Sequence, residues 1–345
     1  MNKQWIFPAE WEQQQGVLLC FPHNGNDWPG KYKAIQWAFV EYIKKIAAVE
    51  TVFLVVASNS LKEKATAMLD IAHVNLKNVS FIIQKTNRSW MRDSGPIIVK
   101  NEKQRKALNF NFNGWAKYAN YKLDKHVPEA VAKRLNIPLE QVTYKGKPVV
   151  LEGGAIDVNG TGTLLTSEEC LLHPNIQVRN QGFTKTDYEA VFKEYLGVTN
   201  VIWLDKGIEG DDTHGHIDDL ARFVNQNTII TVIEDNPNDA NYKLLQDNLK
   251  RLEKAVLENG KPPKIITLPM PKRLDFDGIR LPASYANFLI LNKTVLVPTF
   301  NDTKDREALN IIASCFPDRE IIGISAIDFI WGFGTLHCLS QQIPQ

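Results

Sequence analysis

The segment GAIDVNGTGTLLTSE, residues 154–168, carries the pattern that decides the fold. An apolar run rich in β-forming residues meets a turn of Asn and Gly, and a second such run follows, which is typical of paired strands. The pattern recurs in whole or in part in four other segments: VLLCFPHN (17–24), GPIIVKN (95–101), ARFVNQNTIITVIED (221–235) and NFLILNKTVLVPTFND (287–302). We therefore predict five related structural units.

Stretches with helical periodicity and charged faces lie between these units. They cover residues 31–48, 61–72, 126–135, 187–196, 239–258 and 304–315. Five units in 345 residues average 69 residues each, which suits a small module containing a βαβ element. We predict a ring of α/β modules that forms one domain over residues 1–345. The Pro- and Lys-rich segment 259–273 is expected to be an exposed connection between modules.

The charge balance argues against a nucleic-acid partner. Lys and Arg number 40 and Asp and Glu number 39, so no positive field is available to hold a polyanion. No stretch reaches the roughly 18 apolar residues that a membrane helix needs, and the first residues lack the apolar core of a signal peptide. We expect a soluble, cytoplasmic protein, and a homodimer is a reasonable assembly.

The four cysteines are widely spaced and indicate reduced thiols, not a disulfide framework. Cys338 differs from the others because the Gly-rich segment WGFGTLHC leads into it, seven residues before the end. A chain end of this kind is normally polar and frayed. The segment instead suggests a thiol that a fixed loop presents for reaction. The remaining cysteines lie in apolar settings and are interpreted as core thiols: Cys20, Cys170 and Cys315.

The segment GDDTHGHIDDLARF, residues 210–223, is the densest cluster of polar residues that could carry chemistry. In an extended chain, His214, His216 and Asp218 would share one face. Such a face offers an acid/base group beside a carboxylate, or the beginning of a metal site, although further histidine ligands are not nearby in the sequence. The alternative is a polar turn that is held by local hydrogen bonds.

Two further motifs contain a carboxylate next to a turn. In WMRDSGP (90–96), Asp93 lies close to the bulky Trp90, which suits recognition of a planar cation; the alternative is a surface pair of Arg92 with Asp93. In LEGGAIDVNG (151–160), two glycines follow Glu152 and allow the backbone to approach closely behind it. The alternative there is a glycine bend beside a solvated glutamate.

Taken in this order, the motifs WMRDSGP, EGG, DDTHGHIDDLARF and HCLSQQIP resemble the agmatine deiminase family, within the guanidino-group-modifying enzymes that include peptidylarginine deiminases. The similarity also covers PAEWEQQQGVLLCFPHNGNDWPG and SYANFLILNKTVLVPTF, so it spans nearly the whole chain. The resemblance implies an α/β fold of the pentein type, a five-bladed α/β propeller. In that fold, catalytic residues from different blades converge on a central channel.

The resemblance also implies roles for individual residues. Cys338 would attack the guanidinium carbon, and Asp93 and Asp218 would pair with the guanidinium nitrogens. His216 would transfer protons, and Glu152 would orient His216. The implied reaction converts agmatine into N-carbamoylputrescine and ammonia, with a small guanidine as partner and without a metal or an organic cofactor.

Two departures from the family pattern concern the far end of the substrate. Many agmatine deiminases have T-D-G-H where this chain has THGH (213–216), and W-G-G-K where it has WAKY (115–118). Asp212 and Trp115 are expected to receive the amine and methylene chain of the substrate, with Trp90 as an aromatic wall. Arginine residues in peptides are an alternative substrate. A silent module that binds cationic amines, or a metallohydrolase built on His214 and His216, are alternative functions.

Overall fold

The computed structural model describes residues 5–345, in which helices alternate with short strands. The helices are α1 (Tyr32–Ala47), α2 (Asn59–Ile71), α3 (Met91–Ser94), α4 (Val127–Leu135), α5 (Glu168–Leu172), α6 (Lys185–Val191), α7 (Ala240–Glu253), α8 (Asp305–Cys315) and α9 (Ile327–Ile330). The strands are β1 (Gln14–Cys20), β2 (Thr51–Val56), β3 (Val79–Ile83), β4 (Ile97–Lys100), β5 (Arg105–Asn109), β6 (Leu139–Gln141), β7 (Thr143–Tyr144), β8 (Lys147–Pro148), β9 (Asp157–Val158), β10 (Thr163–Ser167), β11 (Asn200–Leu204), β12 (Ala221–Asn225), β13 (Thr228–Ile233), β14 (Lys264–Pro269), β15 (Leu274–Phe276), β16 (Ile279–Leu281), β17 (Leu289–Ile290), β18 (Thr294–Thr299), β19 (Glu320–Ser325) and β20 (Ser340–Pro344).

Five sheets share one arrangement, in which a central strand pairs antiparallel with one neighbour and parallel with the other. The strand orders are β20-β1-β2-β3, β4-β5-β6, β9-β10-β11, β12-β13-β14 and β17-β18-β19. Each of the five segments predicted from the sequence supplies a strand to a different one of these sheets. The chain is thus of the mixed α/β class.

Helices provide the connections that the parallel pairs require, because parallel neighbours cannot be joined by a tight turn. Helix α7 joins β13 to β14 and shows why these segments are helical. Asp239 caps its first turn by accepting a hydrogen bond from the Asn241 N–H at 2.8 Å. Its buried residues recur at the spacing of one helix face, which packs on the strands: Asn241, Leu245, Asn248 and Leu252.

The two ends of the described chain meet in the first sheet. Strand β20 pairs antiparallel with β1, with Leu19 opposite Ser340 and Val17 opposite Gln342. All five residues of β20 are buried. Strand β20 is therefore packed inside the fold and is not a frayed tail. Because Cys338 lies two residues before β20 begins, the strand also fixes the position of Cys338.

The segment 259–273 is not simply an exposed connection, because Lys264–Pro269 forms β14 and lies parallel to β13, with Ile229 opposite Ile265. Its Ile-Ile-Thr-Leu run supplies the side chains that a strand needs, and the flanking prolines and lysines obscured this pattern.

Over residues 5–345, no helix combines the length and apolar character needed to cross a membrane.

Candidate active site

A cavity of about 280 Å³ has Cys338 among the residues that line it. Five of the eight site residues predicted from the sequence line it: Trp90, Asp93, Trp115, Asp212 and Cys338. The other three are buried next to these residues: Glu152, His216 and Asp218. The structure thus brings the predicted residues together around one cavity, although they come from segments spread over most of the chain.

Asn287 holds the loop that carries Cys338. Its side-chain oxygen accepts hydrogen bonds from Thr335 Oγ1 at 2.7 Å and from the backbone N–H of His337 at 3.0 Å. Its Nδ2 donates to Cys338 Sγ at 3.0 Å and to Asp219 Oδ1 at 3.0 Å. One side chain therefore fixes the backbone of the loop and contacts the thiol.

The thiol of Cys338 lies in an electrostatically unfavourable place for a thiolate. Burial, followed by the carboxylates of Asp218, Asp219 and Asp93, raises the pKa of Cys338 well above its usual value. The closest of these oxygens is Asp218 Oδ2, at 3.6 Å from Sγ. A cation that enters the site would offset these negative charges and favour the thiolate.

Asp93 is the third residue of helix α3, and hydrogen bonds hold both of its carboxylate oxygens. Its Oδ2 accepts a hydrogen bond from Trp115 Nε1 at 2.9 Å, and its Oδ1 accepts one from the Gly154 N–H at 3.1 Å. Burial raises the pKa of Asp93 to about 6, with His216 acting in the opposite direction. The backbone of Gly154 therefore approaches Asp93 closely, and the carboxylate of Glu152 reaches a buried partner, Arg179.

His216 and Glu152 lie side by side, but their strongest contacts are with other groups. His216 Nδ1 is 3.8 Å from Asp93 Oδ1, and His216 Nε2 is 4.0 Å from Glu152 Oε2, beyond hydrogen-bond distance. The firm partner of Glu152 is Arg179, whose Nε donates to Oε1 at 3.0 Å. Burial alone would lower the pKa of His216, yet Asp93, Cys170 and Asp218 raise it well above its usual value.

Asp218 has one engaged and one free oxygen. Its Oδ2 lies 2.8 Å from His337 Nδ1, whereas Oδ1 is buried and has no hydrogen-bond partner within residues 5–345. Burial would raise the pKa of Asp218, but His337, His216 and Arg222 lower it below its usual value. A buried, ionised and unpartnered oxygen is costly unless a donor reaches it.

The mouth of the cavity contains charged residues that are already paired. Asp212 forms an ion pair with Lys117 and accepts a hydrogen bond from Tyr118 Oη at 2.8 Å. Arg88 Nη1 donates to Asp27 Oδ1 at 3.0 Å, and its guanidinium lies 4.1 Å from the centre of the Tyr118 ring. Trp90 packs on Trp28 with ring centres 5.4 Å apart and lines the cavity.

The prediction of one extended face for residues 214–218 is wrong. His214 adopts a positive φ of 66°, and Ile217–Asp219 form a short 3-10 turn. His214 therefore turns away towards Glu169, 3.6 Å from its Nε2, and towards the ring of His173. The two histidines of the H-x-H pair do not converge, which removes the basis for a metal site built on them.

Two other groups of buried side chains have ligand atoms within 4.8 Å of one another. The groups are Glu152, Cys170 and His216, and Asp218, Asp219 and Cys338. In each group a carboxylate is already engaged by a donor from the protein, Arg179 in the first and Asn287 in the second. Cys170 was interpreted as a core thiol; it is buried as expected, but its sulfur faces Glu152 and His216.

Sequence reasoning missed several residues that hold the site together: Glu10, Arg179, Arg222, Asn287 and His337. Glu10 and Asn287 lie in segments, PAEWEQQQ and SYANF, whose similarity to a family was noticed without a role being assigned to them. For Asn287 the available signal was a polar residue next to the apolar run FLIL, because buried polar groups need partners; PAEWEQQQ is mainly polar and gave no such signal for Glu10.

A family model described as Porphyromonas-type peptidyl-arginine deiminase matches residues 6–344. An agmatine deiminase of Pseudomonas savastanoi pv. phaseolicola is 32% identical over 361 residues, which cover 98% of this chain and 95% of that protein. The structure of an Enterococcus faecalis agmatine deiminase superposes with a TM-score of 0.91 at 30% identity, covering 99% of this chain and 96% of that one. A C. jejuni agmatine deiminase with substrate bound gives a TM-score of 0.89 at 33% identity, covering 100% and 98%.

Proposed function

This chain belongs to the Porphyromonas-type peptidyl-arginine deiminase family, and from that membership we propose that it hydrolyses the guanidinium group of a small amine, with agmatine as the first candidate. Its relatives are named agmatine deiminases, which are hydrolases of guanidino carbon–nitrogen bonds. The observation that carries the proposal is a buried thiol, Cys338, which lines a cavity and has the carboxylates of Asp93 and Asp218 near it.

Substrate binding follows from the two carboxylates. A guanidinium is planar and cationic, and carboxylates bind it through pairs of hydrogen bonds. Asp218 Oδ1, which has no partner in the described chain, would accept one N–H, and Asp93 would accept another. These contacts hold the guanidinium carbon ready for the nearby sulfur, so part of the barrier is overcome by orientation.

The bound guanidinium also favours the thiolate form of Cys338, the group that attacks it. Without substrate, burial and three carboxylates keep the Cys338 thiol protonated at neutral pH. An opposite charge about 4 Å away contributes on the order of 4 kcal/mol at an effective dielectric constant near 20, which corresponds to roughly three units of pKa. The thiolate would therefore form mainly in the substrate complex.

The reaction then proceeds in two halves. The sulfur of Cys338 bonds to the guanidinium carbon, the bond from that carbon to one terminal nitrogen breaks, and His216 gives the departing nitrogen a proton to form ammonia. The S-alkylthiouronium intermediate is attacked by water, from which His216 takes a proton. The carbon–sulfur bond breaks, the second proton of the added water goes to the leaving sulfur and restores the Cys338 thiol, and agmatine plus water have become N-carbamoylputrescine plus ammonia.

Glu152 has a less direct role than the sequence suggested. We propose that it acts together with Arg179 as a buried ion pair that supports His216 through charge and packing, since no hydrogen bond joins Glu152 to the imidazole. The high pKa of His216 suits a group that must donate a proton to the departing nitrogen after the sulfur has attacked the guanidinium carbon. Asp212, Trp115 and Trp90 would contact the methylene chain and amine of the substrate.

The five sheets support a further proposal about architecture. We propose that they form the blades of one five-bladed α/β propeller, so that residues 1–345 are a single domain. Each parallel pair is connected by a helical crossover, and the candidate site collects residues from all parts of the chain. A cytoplasmic location suits a free thiol nucleophile, because a reducing compartment protects it. The homodimer remains a prediction.

The test is ammonia release from metal-free protein, with agmatine, free arginine and a blocked arginine peptide as substrates and Cys338→Ala as control. We expect rapid release from agmatine that the variant abolishes. Release from only one of the other guanidines would keep the reaction and change the substrate. No release from any of them, with agmatine still bound, would replace the proposal by a binding module for cationic amines.

A further inference from the structure

The imidazole of His337 lies between two carboxylates. Its ring is 1% exposed, and its Nδ1 is 2.8 Å from Asp218 Oδ2 while its Nε2 is 2.7 Å from Glu10 Oε2. Both distances are typical of hydrogen bonds between ionised groups. His337 immediately precedes the candidate nucleophile, and the reaction proposed above does not use it.

The geometry limits where protons can be. A neutral imidazole donates through one nitrogen and presents a lone pair at the other, which would face a carboxylate oxygen without a proton between them. Two carboxylate contacts are therefore satisfied only when the ring carries both protons, or when one of the carboxyl groups is itself protonated.

Glu10 is not a suitable carrier of that proton. Its Oε2 also accepts a hydrogen bond from Arg222 Nη2 at 2.8 Å and lies 3.6 Å from Arg92 Nη2. Its other oxygen accepts the backbone N–H of Ile290 at 2.7 Å. Although burial opposes ionisation, Arg222, His337 and Arg92 hold the pKa of Glu10 far below its usual value.

A cationic ring also balances the buried charges around Glu10 when the three carboxyl groups are ionised. Arg92 and Arg222 face three carboxyl groups, because Arg222 Nε also donates to Asp157 Oδ1 at 3.1 Å. Both oxygens of Asp157 accept N–H groups, the second from the backbone of Phe223. The groups that face one another in this cluster are Glu10, Arg92, Asp157, Asp218, Arg222 and His337, with Asp93, Asp219 and Cys338 adjacent. A third cation gives three positive and three negative charges, and an uncompensated buried charge is strongly destabilising.

We propose that His337 is a positioning residue: as an imidazolium held by Glu10, it fixes Asp218 so that its unpartnered oxygen faces the substrate guanidinium. The inference rests on the proposed function, since the free oxygen of Asp218 matters there as a guanidinium acceptor. Asn287 completes the arrangement by fixing the His337 backbone. The N-terminal segment, through Glu10, thus reaches the site without touching the substrate.

The protonation of the ring can be measured without any turnover. In protein with ¹⁵N-labelled histidine, NMR of the wild type at pH 7 should show a ring with both nitrogens protonated, and His337→Gln should remove these signals. A His337 ring with one protonated nitrogen would overturn the proposal, even if the variant did not fold.

The positioning role has a separate readout. Loss of a hydrogen bond to a charged group should raise KM for the guanidine substrate about tenfold or more in His337→Gln. Glu10→Gln should raise KM in the same direction, while His126→Gln, at an exposed histidine, should leave it unchanged. An unaltered KM in a folded His337→Gln would overturn the positioning role. Absence of turnover by the wild type would instead contradict the proposed function and leave the NMR result to decide the charge state.

Discussion

Gly154 offers a test of the site geometry that changes no charge. A Cβ added at this position would lie 2.5 Å from His216 Nδ1 and 3.0 Å from Asp93 Oδ1. Gly154 does not adopt a positive φ, so alanine is excluded here by lack of space and not by backbone conformation. We predict that Gly154→Ala disables the enzyme by separating these two residues.

The size of the effect follows from the distances. Non-bonded atoms of this kind rest about 3.5 Å apart, so the methyl group or the imidazole must move by about 1 Å. The side chains of His216 and Asp93 have little room to move. His216 is 1% exposed, and Asp93 is held by Trp115 Nε1 and by the Gly154 N–H itself. A misplacement of about 1 Å costs on the order of 100-fold, and we expect kcat to fall by that factor.

The assay is the initial rate of ammonia release from agmatine, with thermal melting of each variant to separate loss of activity from loss of folding. Gly25→Ala is the matched control, because its Cβ would meet only the Tyr32 side chain at ordinary distances, the nearest atom being 3.7 Å away. A Gly154→Ala enzyme with wild-type kcat and an unchanged melting temperature would refute the reasoning, since His216 could not then act from the position described.

Three other predictions concern charge and hydrogen bonding. Burial raises the pKa of Asp93 to about 6, so the free enzyme loses this negative charge as pH falls through that value, and a pH profile of kcat/KM should fall about tenfold per unit below it. Asn287→Ala removes a donor to the sulfur and should shift the pH dependence of Cys338 alkylation by iodoacetamide upward by about one unit; an unshifted profile would contradict the thiol contact. Arg179→Met leaves the fully buried Glu152 without its cation and should lower the free energy of unfolding by about 3–5 kcal/mol, measured by denaturant titration. Adding Glu152→Gln should restore part of that loss, and no restoration would show that the pair is not the cause.

The six longest helices were predictable because each buries one face, whereas the short helices α3, α5 and α9 were not predicted. The six predicted stretches each correspond to a helical segment, with ends that differ by a few residues. Strands were harder to predict. The central strand β2, TVFLVV, is an almost continuous apolar run without alternation, and such a run does not distinguish a buried strand from a buried helix. The parallel partners, such as β14, were missed because their pairing depends on segments distant in sequence.

The residues that we propose to react were easier to identify than the residues that hold them. Cys338, Asp93 and His216 belong to compact motifs, and the resemblance of these motifs to a known family implied a role for each residue. The supporting contacts join distant segments, such as Glu10 with Arg222, 212 positions apart. No periodicity or local composition predicts such a pair, because only the folded backbone brings the two residues together.

Arg92 and Asp93 are adjacent in one motif and show the difference between a residue that lines the cavity and one that supports the site. In WMRDSGP, Asp93 faces the cavity, whereas Arg92 points the other way: its Nε donates to the backbone oxygen of His337 at 3.3 Å, and its Nη1 donates to Gln342 Oε1 at 2.5 Å. The two therefore do not form the surface pair that was the alternative interpretation, and both are buried. Because Arg92 binds the terminal segment on both sides of Cys338, the same short helix that places Asp93 at the cavity also fixes the loop that carries the proposed nucleophile.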